Sequence, residues 1–586
     1  MIIQPLNYYP DPLQVASHLA DRPDFAFLDS SDHQHGLARY SLIALEPFLK
    51  FSWHKGKSHL SCPGHICEDP SGISCQGQGG ESPVFSGDPL DRTSWIDQFK
   101  VAASEGDPFR TLRELINRFR VPLPSSPSSP PLSHQGSLDS LLPLGAAIGY
   151  ISYDFGASWE AGIPPLQGFE DWPQMEWRFY DTLLVFDHRR RILTLVSTGF
   201  PFLGAMQDRW AHERFSHFLS LLEKIPAKDA QHYEEQIFAG NFFPSCSNTG
   251  GHVLITPSEV TFGVASGGGT GDLAGDFSRR SQKVFSGAAS ENISDGASGS
   301  SFWNLSAKTD LRSNFTSSTY QKAVGTIKDY IARGDVYQVN LSQQFSTETT
   351  EEGFDLYRKI RKINRVPYGG YLRFEQREIL CFSMERFLRM EGDRVQTRPI
   401  KGTVPRGRTE QEDLILAKQL WQSEKDQAEL LMVVDMERND LAKVCALNSV
   451  CVDQLFEVEK YATVFHLVST VSGRLRPGID HLECLRACFP GGSITGTPKI
   501  RAMQIIAELE NVRRSVYCGA LGYFGFNQVS DFNIPIRTIL KQGPNIWFNA
   551  GGGVVTDSSP YLEYMETLHK VRSFLACIQS SACPDA

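Results

Sequence analysis

From about residue 226 to residue 312 the chain gives up hydrophobic periodicity, and this interruption governs how the rest can fold. Runs such as SGGGTGDLAGD and SGAASENISDGASGSS carry too little apolar surface to offset the entropy lost on ordering. The stretch reads as a mobile insertion, with a binding arm as the functional alternative. It leaves two parts to build the fold, an N-terminal segment of residues 1–225 and a C-terminal domain of residues 313–580. With 586 residues in all, a large core can be buried.

The N-terminal segment alternates short β-like runs with turns. Phe25 to Asp29 and Leu42 to Leu45 are examples, and Thr182 to Phe186 and Ile192 to Val196 flank a polar turn, as a hairpin would. Pro122 to Gly136 is a low-complexity surface loop. In the C-terminal domain, Tyr320 to Arg333 is an amphipathic helix stopped by Gly334. Asp426 to Val434, Pro498 to Glu510 and Tyr561 to Leu575 are predicted as helices, and Val516 to Phe526 and Phe532 to Leu540 as strands.

A formal charge of −10 gives no reason to expect a nucleic acid or an anionic membrane as partner. The first residues show no basic stretch leading into an apolar run, and Leu141 to Ser152 is too short and glycine-rich for a membrane span. A cytosolic protein is expected. Cys62, Cys67 and Cys75, near His59 and His65, are spaced more widely than zinc pairs and read as ordinary thiols.

Three constellations can carry chemistry. In GGSITGTPK (Gly491 to Lys499), glycine turns run into Thr497 as N-cap and Pro498 as first helical residue. That is either a well-capped helix or an anion site with Lys499 adding charge. Asp426 and Glu429 share one helix face, and Glu563, Glu566 and Lys570 share another. Solvated charge is the usual meaning of such pairs; facing each other, the two helices could hold a hard cation. Lys401, in PIKGT, is a surface lysine unless enclosed. As a nucleophile it would have to be neutral, which costs about 4 kcal/mol near pH 7.5 without burial or a neighbouring cation.

PIKGT (399–403), KDQAE (425–429), HLVST (466–470), GGSITGTPK, Ile536-Arg537-Thr538, Ala550 to Gly553 and Glu563 to Thr567 follow in this order. Together they resemble the chorismate-utilising family: anthranilate synthase component I, aminodeoxychorismate synthase component I, and isochorismate and salicylate synthases. Weaker matches in the N-terminal segment are Phe27 to Ser30, Gly36 to Ser41 and Gly149 to Asp154. The resemblance implies an α/β (α+β) fold of two large, mainly antiparallel sheets packed as a sandwich with helices outside, the N-terminal segment joining the same sandwich.

The resemblance also implies roles. Water-using members carry a lysine where this chain has Gln338, and an amide cannot act as the base. Lys401 stands where anthranilate synthases carry alanine and aminodeoxychorismate synthases commonly lysine, and GDVYQVNL (334–341) also looks like the aminodeoxychorismate branch. The implied activity is amination of chorismate to 4-amino-4-deoxychorismate, for p-aminobenzoate and folate biosynthesis, through a covalent Lys401 adduct. Alternatives are anthranilate formation and a catalytically silent binding scaffold. Glu385 would be the acid for the C4 hydroxyl, although Met384 replaces the family's usual proline, and His466 would lie near the ring. Glu429 and Glu566 would ligate Mg²⁺, with Asp426 and Glu563 acting through water. Arg537, Lys570, Thr403, Thr495, Lys499 and the backbone amides of Gly491, Gly492, Ser493, Gly551, Gly552 and Gly553 would bind the substrate. No glutaminase nucleophile turn is present in the sequence, so ammonia is expected from a separate glutamine amidotransferase. Tryptophan is a possible ligand of the N-terminal segment around Phe27 to Ser30.

Overall fold

Strands from the two ends of the chain join edge to edge within the same two sheets. The computed structural model describes residues 1–32, 39–62, 107–121, 142–159, 163, 166–225, 310–461 and 464–579. The Pro122 to Gly136 loop, Gly36 to Ala38, His65, Cys67, Cys75 and nearly all of the 226–312 insertion lie outside the described residues. The described residues from 1 to 225 and from 311 to 579 belong to one compact unit.

Among the described residues, twelve strands make the first sheet and eleven the second, and every pair of strands in them is antiparallel. In the first, N-terminal strands (Ile2–Pro5, Ile192–Ser197, Thr182–Asp187, Tyr40–Ala44, Ala26–Asp29) run directly into C-terminal ones. These are Tyr368–Phe374, Arg377–Ser383, Thr538–Gln542, Asn545–Val554 and Gln338–Glu348. The seam is the pairing of Ala26–Asp29 with Tyr368–Phe374. In the second sheet the seam is Ala146–Ile151 against Ala520–Gly525. The expected antiparallel sandwich with helices is therefore present. Its core interleaves side chains from both sheets, among them Leu42, Ile148, Tyr150, Val185, Leu372, Phe374, Leu521 and Tyr523.

The predicted hairpin forms as Thr182–Asp187 and Ile192–Ser197. The four predicted helices occur as Ser317–Ala332, Glu424–Ala442, Lys499–Glu510 and Pro560–Gln579. Three details differ from the sequence reading. Val516 to Gly519 is turn, and the strand begins at Ala520. The run predicted as one strand from Phe532 to Leu540 is two, Val529–Asn533 and Thr538–Gln542. Pro535 and Arg537, the latter at φ 51°, interrupt it. Thr497 is not an N-cap: it pairs with Gln338 in the sheet, and Pro498 takes the cap position of a helix starting at Lys499.

Cys62 is buried. No helix of the described residues is long and apolar enough to cross a membrane.

Arg514 ties these parts together. It is 1% exposed, and its guanidinium donates to both carboxylate oxygens of Glu510 at 2.8 and 2.6 Å. It also donates to the carbonyls of Ile494 and Asn340 at 3.1 and 2.6 Å. Glu510 in turn accepts the Ser342 amide at 2.7 Å, and Asp154 of the N-terminal segment accepts the amides of Arg514 and Ser515. Arg514→Ala strands the Glu510 charge in the core. Its unfolding free energy from urea titration should fall by about 3–5 kcal/mol.

Candidate active site

Lys401 projects from the strand Ile400–Pro405, which pairs with Val464–Arg474. The register of this pair shifts between Lys401 and Thr403, and Gly402 sits there at φ 67°. A methyl group on Gly402 would lie 2.9 Å from Leu420 Cδ1 and 3.0 Å from Asp426 Cβ. Glycine thus lets the strand press against the start of the helix Glu424–Ala442, which carries Asp426 and Glu429.

Gly553 does the same on the opposite wall. A methyl group there would meet the Gln338 amide at 3.1 Å and Lys401 Nζ at 3.3 Å, so these two side chains converge over the strand Asn545–Val554. Gln338 is fully buried, and neither end of its amide has a hydrogen-bond partner among the described residues. Beside it, a methyl on Gly552 would lie 3.0 Å from Glu563 Oε2 and 3.6 Å from Glu566 Oε1. The neighbouring strand Thr538–Gln542 reaches only Phe548, so from Asn549 onward one edge of Asn545–Val554 is open. Alternate amides of Gly551 to Gly553 point to that edge.

The charges of the cavity act on one another. Burial lowers the pKa of Lys401, with Glu429, Glu385 and Glu566 opposing and Lys570 reinforcing. Glu429 is raised, by burial first and then by Asp426 and Glu566, against the pull of Lys401 and Lys425. Burial acts to raise Glu566 too, but the Lys570 ammonium, 2.6 Å away, outweighs it. Lys570 also donates to the Gly551 carbonyl at 2.8 Å, and Arg537 donates to the Lys570 carbonyl. Glu563 accepts the Ser558 hydroxyl at 2.7 Å.

Glu385 is 5% exposed. Its Oε1 has no hydrogen-bond partner among the described residues, and burial pushes its pKa up to about 7, against the Ser493 hydroxyl and Lys401. The backbone around Met384 is held by the hydroxyl of the preceding residue. The Ser383 hydroxyl accepts the Glu385 amide at 3.1 Å and donates to the Ile534 carbonyl at 2.7 Å. One strand away His466, buried, is paired through Nδ1 with the Thr403 hydroxyl at 2.9 Å and meets the Tyr461 ring edge-on. Lys401, Glu385, Glu429, Glu566, Lys570, Gln338 and Gly553 thus share one neighbourhood.

Other predicted substrate ligands are engaged elsewhere. The Lys499 ammonium is taken by Asp440 Oδ2 at 2.5 Å and by the carbonyls of Cys488 and Pro490, so it holds the loop rather than a substrate. The Thr495 hydroxyl donates to the carbonyls of Gly491 and Gly492. The Gly492 amide donates to Glu437 at 3.0 Å. Glu437 escaped the sequence reading because DMERND looks like a solvated stretch of helix; it is 2% exposed.

A hard cation fits the acidic wall. The donors are all oxygen, and Glu429 has Asp426 and Glu566 as like-charged neighbours. Among the described residues no three acidic, histidine or cysteine side chains converge as a closed cage. Mg²⁺, held by one or two carboxylates plus water and substrate oxygens, needs no such cage.

A second cavity lies between the sheets, lined by Leu28, Asp29, Ser30, Tyr368, Arg386 and Asn533 among others. The Asp29 carboxylate accepts from Tyr357 and Arg361.

Residues 280–576 match the family described as chorismate binding enzyme. The chain is 45% identical to anthranilate synthase component 1 of Aquifex aeolicus over 46% of its own length and 54% of the relative's. It is 44% identical to aminodeoxychorismate synthase component 1 of Bacillus subtilis over 46% and 57%. It therefore spans little more than half the length of the curated relatives it matches. The fold is that of anthranilate synthase component I from Streptococcus pneumoniae, with TM-score 0.62, 24% identity and 92% of each chain covered.

The raised Glu385 pKa has a consequence for stability. Between pH 4.5, the ordinary value, and about 7 the unfolded chain has lost this proton while the folded one keeps it. Stability therefore falls across that window and levels off above it, by about 3 kcal/mol for a fully buried group. Glu385→Gln should gain that much on the parent between pH 4.5 and pH 8 in urea unfolding, and nothing below pH 4.

Proposed function

This chain belongs to the chorismate binding enzyme family, and within it we propose that it is the synthase component that aminates chorismate to 4-amino-4-deoxychorismate. One observation carries the choice: a lysine amine enclosed with Gln338 and Gly553, beside a buried acid. In this reading the neutral Lys401 amine bonds to ring C2 as both conjugated ring double bonds shift, C1=C2 to C1=C6 and C5=C6 to C4=C5, and the C4–O bond breaks. Glu385, holding its proton near neutral pH, gives it to the departing hydroxyl, which leaves as water. Ammonia then bonds to C4, both double bonds shift back, and the C2–N bond breaks to return the amine to Lys401. Arg537, Lys570 and the Gly551–Gly553 edge face the substrate carboxylates, and His466 with Thr403 borders the ring.

Glu429 and Glu566 are the proposed Mg²⁺ ligands, Asp426 and Glu563 acting through water. When bound, the cation supplies Lewis-acid neutralisation of the ring carboxylate. Both curated relatives carry "component 1" in their names, which supports a separate glutamine amidotransferase as the source of ammonia. We read the cavity between the sheets as a place for tryptophan, with Asp29 committed to Arg361 rather than to the ligand. The proposed setting is cytosolic p-aminobenzoate and folate biosynthesis.

The competing reading is anthranilate synthesis, favoured by the Aquifex aeolicus relative. Full-length protein with chorismate, Mg²⁺ and ammonium, analysed by mass detection, separates them. Aminodeoxychorismate is expected; prompt anthranilate and pyruvate would overturn the proposal. Lys401→Ala should abolish or sharply reduce amination while chorismate binding stays nearly parental, and Glu385→Gln should slow it by about 10²–10⁴-fold. Parental turnover in Lys401→Ala would show that the lysine is not the nucleophile.

A further inference from the structure

The turn between the strand Asn545–Val554 and the helix Pro560–Gln579 joins two parts of the cavity, the Gly551–Gly553 edge and the acidic side chains of Glu563 and Glu566. Ser558 closes that turn and is 3% exposed. Its amide donates to the Val555 carbonyl at 3.1 Å, and its hydroxyl accepts the Val555 amide at 3.0 Å. A turn of this kind needs no more. The hydroxyl proton nevertheless has a fixed direction: it goes to Glu563 Oε1 at 2.7 Å. From the other side the Lys328 ammonium, on the helix Ser317–Ala332, donates to the Ser558 carbonyl at 2.7 Å. With Oε1 held at the turn, Glu563 presents Oε2 to the cavity. A methyl on Gly552 would lie 3.0 Å from that oxygen and 3.6 Å from Glu566 Oε1. Glu566 is tied in a parallel way, through Lys570 to the Gly551 carbonyl.

We infer, on the reading that Glu563 acts on a cation through water, that Ser558 is a positioning residue for that carboxylate. The last torsion of a glutamate side chain is broad and nearly two-fold, so an untethered carboxylate offers either oxygen or both. The Ser558 hydroxyl occupies one of them and fixes the plane of the group. Oε2 is left as the acceptor that faces the cavity, which suits a cation-bound water and disfavours bidentate capture of the cation itself. The same turn sets the spacing between the acidic helix and the glycine edge, because Ser558 bonds to Val555 on one side and to Glu563 on the other. Lys328 clamps the turn from outside the cavity. Ser558 thus acts through Glu563, as an outer partner that orients a group working at the metal.

Mn²⁺ is the probe, its binding to the full chain followed by loss of the free-ion EPR signal, with chorismate present and ammonium withheld. Ser558→Ala should weaken Mn²⁺ binding about 10-fold. Ser558→Thr, which keeps the hydroxyl, should bind as the parent does. In turnover with ammonium, Ser558→Ala should raise the half-saturating Mg²⁺ concentration by the same factor while kcat at saturating Mg²⁺ stays near parental. A turn that had merely loosened would lower kcat at every Mg²⁺ level. Lys328→Met leaves every cavity group in place and should weaken Mn²⁺ about 3-fold, which keeps the test open if the alanine variant does not fold. Both losses should vanish in a Glu563→Gln background, where the hydroxyl has no carboxylate to set. Parental Mn²⁺ affinity in Ser558→Ala (or in Lys328→Met, where alanine is not tolerated) would overturn the inference, as would a loss that Glu563→Gln leaves undiminished. A parent that binds no Mn²⁺ overturns the cation reading of the acidic wall and this inference with it. A parent that binds Mn²⁺ through Ser558 but makes anthranilate overturns the amination reading alone.

Discussion

The ion pair of Arg514 and Glu510 is the interaction on which the site's geometry rests. Both side chains are 1% exposed, so neither charge is eased by water and each requires the other. The pair fixes four pieces at once: the strand Gln338–Glu348, the loop carrying Ser493, the end of the helix Lys499–Glu510 and, through Asp154, the N-terminal segment. Gln338 begins the first of these pieces, and Ser493 lies in the second. A fault at Arg514 would therefore reach the cavity without touching any group expected to react.

Within the cavity, desolvation does most of the chemical tuning. It lowers Lys401 and raises Glu385, moving a base and an acid toward the same neutral range from opposite directions. The charges of Glu429, Glu385 and Glu566 work against a neutral Lys401, because they favour its ammonium form. A cation on that wall would remove the opposition. The acidic wall and the lysine are thus electrostatically one unit.

Much of the fold could be read from local pattern. The Thr182–Val196 hairpin and the four C-terminal helices follow from periodicity and turn chemistry, whereas the sandwich itself came only with the motif order. The misreadings have tertiary causes. Thr497 satisfies every local rule for a cap, yet its backbone is taken by pairing with Gln338, more than 150 positions earlier. Lys499 looks like an anion ligand until Asp440, from another helix, claims it. Glu437 was hidden for the same reason: nothing in DMERND shows that a glycine loop will cover it. Pro535 was a visible warning that Phe532 to Leu540 would not run as one strand.

The two seams between N- and C-terminal strands also set a condition on synthesis. When the first part of the chain leaves the ribosome, Ala26–Asp29 and Ala146–Ile151 are strands with one neighbour missing, since their partners begin at Tyr368 and Ala520. At cellular elongation rates that gap lasts on the order of tens of seconds. Throughout it, two apolar ladders stand unpaired and can template association with other nascent chains. A split of this enzyme between its halves would expose the same ladders permanently, so the two ends must be supplied together to yield a soluble product.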